Sequence, residues 1–179
     1  WNNQDLKYAT YDGSSWTTST VDSTDFVGLD TSLAVDSSGN VHISYYDNTN
    51  ENLKYATFDG SSWTFSIPDA VGSVGRESSL ALDSSGNVHI SYYINGVGDL
   101  KYATYDGSSW ITSTIDNSTS NVGQHTSLAI DSNGDLHISY YDGENGDLKY
   151  AFLTGSGHSS PTLSSGVSGP ISLVRDVQM

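Results

Sequence analysis

The sequence predicts an all-β chain folded as a β-propeller, assembled from four-stranded antiparallel blades of about 47 residues each. Three observations predict it. The stretch from Ser79 to Trp110 is repeated with little change on both sides, as SLAVDSSGNVHISYY (Ser32 to Tyr46) with LKYATFDGSSW (Leu53 to Trp63), and as SLAIDSNGDLHISYY (Ser127 to Tyr141) with LKYAFLTG (Leu148 to Gly155). Within each copy, short runs of period-two alternation are separated by Asp-Gly, Ser-Gly and Asn-Gly turn chemistry. No helical periodicity of useful length competes, and an up-and-down sandwich would not require so regular a period.

The elements follow in order. Trp1 to Gln4 align with the polar linker that precedes LKYAT in later copies, so the first unit is incomplete. Leu6 to Tyr11 alternates as a strand, Asp12-Gly13 supplies a turn, and Trp16 to Val21 returns. Asp22 to Thr31 is polar, contains Gly28 and reads as a connector to the strand at Ser32 to Asp36. The turn Asp36-Ser37-Ser38-Gly39-Asn40 then leads into Val41 to Tyr46, rich in β-branched and aromatic residues. A full repeat therefore holds four strands of the form SLALD, VHISYY, LKYAT and WTFSI, joined as a meander.

Radial neighbours covering both faces of such a sheet explain why its alternation is blurred by Tyr and Ala on either side. In the C-terminal part, Ser159-Ser160-Pro161 takes the place of Ser108-Ser109-Trp110, and Ser172 to Asp176 that of Ser127 to Asp131. The expected division is a partial blade at 1–26, blades at 27–73, 74–121 and 122–166, and the start of another at 167–179. About 3.75 blades are too few for a large ring, so further sequence, a second chain or a strand exchange would complete it, or the blades stack openly and expose an edge for assembly. The absence of an initial Met suggests a processed or excerpted product.

Composition narrows the function. Of 179 residues, 21 are acidic and 6 basic, and the formal charge of -15 disfavours phosphate backbones and anionic lipid, so nucleic-acid and membrane partners are not expected. With no cysteine there is no disulfide framework, thiol nucleophile or Cys-type zinc site. No apolar run approaches the ~20 residues of a membrane span. The acidic, Ser/Thr/Asn/Gly-rich, lysine-poor composition suggests a secreted or cell-surface protein, and Asn117-Ser118-Thr119 fits a glycosylation acceptor.

Comparison of the internal copies points to a binding face. The hairpins DSSGN and DGSSW hardly change, whereas the connector between the second and third strands reads DNTNEN, INGVGD and DGENGD. The connectors between blades read DSTDFVGLDT, DAVGSVGRES and DNSTSNVGQHT. In a meander both kinds of connector emerge on one face, so that face is diversified on a constant support. The residues entering the inner strands, Leu29-Asp30, Arg76-Glu77, Gln124-His125 and Gly169-Pro170, are expected near the channel or a blade interface.

Candidate ligand-binding residues are therefore Asp30, Arg76, Glu77, Gln124 and His125. Arg76 is the one cation in the diversified connectors, because Lys7, Lys54, Lys101 and Lys149 share a repeat position. It suits a carboxylate or an array of sugar hydroxyls, and a surface ion pair with Glu77 or a nearby Asp is its ordinary alternative.

Other chemistry-bearing residues read as structural. His42, His89 and His137 recur once per blade and do not converge; bonding to the turn residues Asp36, Asp83 and Asp131 accounts for them. Asp131-Ser132-Asn133-Gly134-Asp135 is like a fragment of a calcium loop without its full ligand spacing. Trp16, Trp63 and Trp110 each open an outer strand, where packing on the adjacent blade is expected. No nucleophile stands with a base, no metal set is complete, and no catalytic residue, metal or cofactor is expected.

The units Thr10-Tyr11-Asp12-Gly13-Ser14-Ser15-Trp16, Thr57 to Trp63 and Thr104 to Trp110 resemble a shortened Asp-box of the sialidase-like BNR-repeat propellers, whose motif has one more residue between Asp and Gly. The resemblance implies a propeller hairpin. It also implies, for an active sialidase, three arginines on the substrate carboxylate, a Tyr/Glu pair and a catalytic acid. Only Arg76 and Arg175 are present, so the catalytic set is not carried over. The expectation is a non-enzymatic extracellular propeller that recognises glycans or a cell surface through the variable face. The alternative is a structural repeat protein that forms homo-oligomers or filaments.

Overall fold

A computed structural model describes residues 4–154 and contains four antiparallel sheets. The first is the hairpin β1 (Leu6–Tyr11) and β2 (Trp16–Asp22). The second orders β3 (Val27–Val35), β4 (Val41–Asp47), β5 (Asn52–Phe58) and β6 (Trp63–Asp69) as a meander. The third repeats this with β7 (Ser73–Leu82), β8 (Val88–Asn95), β9 (Asp99–Tyr105) and β10 (Trp110–Asp116). The fourth has β11 (Val122–Ile130), β12 (Leu136–Asp142) and β13 (Asp147–Leu153). The outer strand and further inner strand expected after Gly155 lie outside the described residues.

The repeat dictates this arrangement because each sheet is apolar on both sides. Every residue of β4 is buried, its polar ones included, which requires a neighbour on each face. Three cores lie between consecutive sheets. One combines Leu6 and Val21 with Val27, Ile43 and Tyr45; the next, Leu53 and Tyr55 with Val74, Leu80 and Ile90; the last, Leu100 and Tyr102 with Val122, Leu128 and Ile138. The inner strand β7 packs between β3 and β11, so the first strands of successive sheets line the axis side.

Close approach at each seam depends on one glycine. A Cβ on Gly75, at φ 99°, would fall 2.6 Å from Leu53 Cα, and one on Gly123 would fall 2.6 Å from Leu100 Cα. That contact lets Val74 N–H donate to Glu51 O at 3.0 Å and Val122 N–H to Gly98 O at 2.8 Å, joining one blade's backbone to the next.

Farther from the axis, a charged triad crosses each seam. Asp22 accepts from Tyr45 Oη at 2.8 Å and Lys54 Nζ at 2.5 Å; Asp69 accepts from Tyr92 Oη at 2.7 Å and from Lys101 Nζ; Asp116 accepts from Tyr140 Oη at 2.8 Å and Lys149 Nζ at 2.7 Å. In each case the aspartate ends one sheet, and the tyrosine and lysine belong to the next. This is why Lys54, Lys101 and Lys149 share one register; Lys7 holds the same register but bonds to Asp5 and Thr20 of its own hairpin.

Tryptophans seal the rim as expected where a preceding blade is present. Trp63 meets Tyr8 edge-on at 5.7 Å and Trp110 meets Tyr55 at 5.2 Å. Trp16 has no preceding blade among the described residues and is 70% exposed.

Two local expectations need correction. The inner strands begin at Val27, Ser73 and Val122 rather than at the serine of each SLA run, because bulges let the polar, glycine-containing approach join the ladder. The histidines hydrogen-bond principally to tyrosine: His42 Nδ1 lies 2.5 Å from Tyr55 Oη, His89 Nδ1 2.5 Å from Tyr102 Oη and His137 Nδ1 2.6 Å from Tyr150 Oη. Their Nε2 atoms face the expected turn residues Asp36, Asp83 and Asp131 at 3.7 to 3.8 Å, ion-pair rather than hydrogen-bond distances, so the aspartates are the second partners of the rings. The third strand supplies that tyrosine in every blade, and the turn carboxylates are occupied by their own backbone.

Candidate functional site

Position on the inner strands is set by backbone irregularity. Between Leu29, opposite Tyr46, and Ser32, opposite Ser44, β3 carries two residues against one. The same slip recurs between Arg76 and Ser79 in β7 and between Gln124 and Ser127 in β11. At each bulge a non-glycine residue takes a left-handed conformation: Asp30 at φ 50°, Glu77 at 52° and His125 at 52°. This conformation costs about 1 kcal/mol or more for a residue with a Cβ, so the surroundings impose it.

The surroundings are the neighbouring blades. Ser78 Oγ donates to Asp30 O at 3.0 Å and shares a 2.8 Å hydrogen bond with Ser44 Oγ. The Glu77 carboxylate accepts from the His125 backbone N–H and lies 2.9 Å from His125 Nδ1. One contact thus leads from Asp30 to the Glu77 blade and the next from Glu77 to His125.

The two kinds of variable connector do meet on one face, as the meander requires. Phe26 N–H donates to Thr49 Oγ1 at 3.0 Å and Asn48 N–H to Phe26 O at 2.9 Å. Two sheets farther on, Ser120 donates to Glu144 from both backbone and hydroxyl. On the opposite face, Asp12, Asp59 and Asp106 each accept two backbone N–H groups within their own turns, and these bonds hold each pKa at about 2. In the calcium-like turn, Asp131 Oδ1 likewise accepts from the Asn133 and Asp135 N–H groups, so its carboxylate serves the turn. Among the described residues no three His, Asp or Glu side chains cluster as a metal site.

Arg76 does not pair with Glu77, because the bulge directs adjacent side chains apart. Its Cζ lies 4.6 Å from the centroid of the Tyr46 ring, which is fully buried and shares a 3.1 Å hydrogen bond with Ser73 Oγ. Arg76 Nε is buried without a hydrogen-bond partner. The guanidinium thus lies over an aromatic platform, and no carboxylate among the described residues pairs with it.

Gln124 occupies the equivalent position one blade on, its Oε1 so near Gly143 that a Cβ there would come within 3.0 Å. Of the five candidates, Glu77 and His125 are in direct contact and Asp30 joins them through Ser78. Arg76 and Gln124 stand singly on successive blades. Sequence reasoning missed Tyr46 as the platform, although it sits in the invariant SYY of each second strand. It also missed Asp22, Asp69 and Asp116, which end each fourth strand at the spacing of the lysines.

Chemically, the rim of the axis offers a cation over an aromatic ring, a carboxylate paired with an imidazole, and amide and hydroxyl groups. Hydroxyl-rich or carboxylate-bearing ligands match those donors and acceptors.

No protein-family model matches the sequence, and no curated protein is detectably similar to it in sequence. Solved structures are similar in fold. The NanB sialidase of Streptococcus pneumoniae, in complex with a chlorobenzylammonio-ethanesulfonate, superposes with a TM-score of 0.55 at 16% identity over 86% of this chain and 28% of that one. The intramolecular trans-sialidase of Ruminococcus gnavus, in complex with oseltamivir carboxylate, gives 0.58 at 16% identity over 87% and 37%. The Aleuria aurantia lectin, in complex with α-methyl-L-fucoside, gives 0.48 at 17% identity over 83% and 52%. The chain spans about a third of the length of the two sialidases it resembles. At these identities the two sialidase superpositions establish the architecture: antiparallel four-stranded sheets arranged as propeller blades.

Proposed function

We propose that this chain is a non-catalytic carbohydrate-recognition propeller, secreted or displayed at the cell surface, which binds through the axial rim of its variable face. The observation that carries this reading is Arg76, whose Cζ lies 4.6 Å from the centroid of the buried Tyr46 ring with no carboxylate paired to it among the described residues, on the inner strand that also carries Glu77, itself joined to His125 of the next inner strand. A cation held on a ring retains planar donors for a sugar carboxylate or vicinal hydroxyls, and the neighbouring carboxylate accepts from hydroxyls. One arginine among the described residues, and two in the whole sequence, support binding in preference to glycosidic chemistry. The bulges place these side chains on a backbone fixed by the seams, so the ligand meets a preorganised surface.

A glycan array tests the reading, with Arg76→Ala beside the unaltered chain. The expected outcome is a set of glycans bound by the parent and lost by the variant at equal melting temperature. Equal signals from both, or none from the parent, would remove the proposal.

A further inference from the structure

We propose that the cleft between the second and third sheets on the hairpin face is a second ligand site, for uncharged pyranosides. This cleft encloses about 430 Å³, within the size range of small-molecule sites. It lies on the side of the DGSSW turns, away from the axial residues described above.

Strand register builds it. Tyr55 pairs with Ser66 and Thr57 with Thr64 across β5 and β6, and these four residues line one wall. Ser108 and Ser109, from the turn of the next blade, and Trp110 line the other. Trp110 meets Tyr55 at 5.2 Å with planes 68° apart, and its Nε1 donates to Ser66 Oγ at 3.0 Å. The tryptophan is therefore fixed by the facing wall and by Tyr105 of its own sheet at 5.3 Å, and it is only half-buried.

The lining selects the ligand class. Aromatic surface meets the C–H face of a sugar ring, and hydroxyls from both walls meet its edge. No charged side chain lines the cleft, and the chain carries -15 overall, so an anionic sugar would find no counter-charge there. A purely apolar ligand would leave the Thr and Ser hydroxyls without water.

The preceding seam repeats the pattern, with Trp63 edge-on to Tyr8 at 5.7 Å, Thr10 paired with Thr17, and Ser61 and Ser62 in its turn.

The test is a titration of the intact chain, followed by the indole N–H resonances in ¹H–¹⁵N spectra. The probes are methyl β-D-galactoside, methyl α-D-mannoside and methyl N-acetyl-β-D-glucosaminide. At least one is expected to shift the Trp110 resonance saturably. Thr64→Trp, which fills the cleft from an exposed position, should raise the Kd by about tenfold or more. Thr64→Val, nearly isosteric, should weaken binding by about threefold and serves if the larger variant does not fold. Arg76→Ala should leave the titration unchanged, so failure of the axial site and failure of this one are distinguishable. Absence of a saturable Trp110 shift with all three sugars, or identical titrations for the parent and a folded Thr64 variant, would overturn the proposal.

Discussion

The seam between blades and the bulge at the axis are made from the same repeat, yet one keeps its residues and the other changes them. At the seam, Asp69, Tyr92 and Lys101 have exact counterparts in Asp22, Tyr45 and Lys54 and again in Asp116, Tyr140 and Lys149. At the bulge the equivalent pairs are Leu29-Asp30, Arg76-Glu77 and Gln124-His125, on backbones that hardly differ. Burial accounts for the contrast. A charge enclosed between two sheets must be met by a fixed partner, whereas a side chain on the axial rim needs only a backbone that the seams already hold.

That contrast breaks most directly at the seam. Asp69→Ala leaves Lys101 and the Tyr92 hydroxyl enclosed without an acceptor, and should cost about 3 to 5 kcal/mol in urea unfolding. A cost below about 1 kcal/mol would mean that the triad is solvated and that burial does not enforce the repeat.

Glycines sharpen it next. Gly75 and Gly60 both have positive φ, but only Gly75 faces the backbone of the neighbouring blade, and nothing lies within 4 Å of a Cβ at Gly60. Gly75→Ala is expected to destabilise by about 3 kcal/mol, and Gly60→Ala by about 1 kcal/mol from conformation alone. Equal melting shifts would show that strain at the glycine, rather than contact at the seam, sets its identity.

Acid titration is a gentler probe. Burial opposes ionisation of Asp22, Asp69 and Asp116, yet hydrogen bonds from Lys54, Lys101 and Lys149, together with the tyrosine hydroxyls, outweigh it and lower all three pKa values, Asp116 to about 2. A folded-state value below the unfolded one stabilises above the unfolded pKa, and that contribution is lost as pH falls through the folded value. Melting temperature should therefore fall between pH 3.8 and about 2, and Asp116→Asn should flatten the decline. A decline of the same steepness in that variant would assign acid sensitivity to other carboxylates.

How much of this was legible in the sequence follows the same division. Period, hairpins and blade order were readable because each strand repeats its alternation and each turn its aspartate and glycine. The strand starts were misplaced because DFVGLDT and its counterparts look like loops, and only bulged pairing with Tyr46 and its relatives makes them strand. The partners of Lys54, Lys101 and Lys149 were hidden because they lie on a different blade, 32 positions upstream at Lys54 and Lys101. The five axial candidates could be chosen by their variation among copies. Which of them touch was not readable: neighbours in sequence, such as Arg76 and Glu77, point to different blades, while Glu77 and His125 meet across 48 positions.

The smallest structural effect and the largest functional one should coincide in a single exchange. Arg76→Leu with Glu77→Asp rewrites the second bulge as the first, using residues that this backbone already carries at Leu29-Asp30. Unfolding and glycan binding of this double variant, measured on one preparation, test the account most directly. The account predicts a stability within about 0.5 kcal/mol of the parent and loss of the parent's glycan signal. Retained binding, or a seam-sized loss of stability, would contradict it.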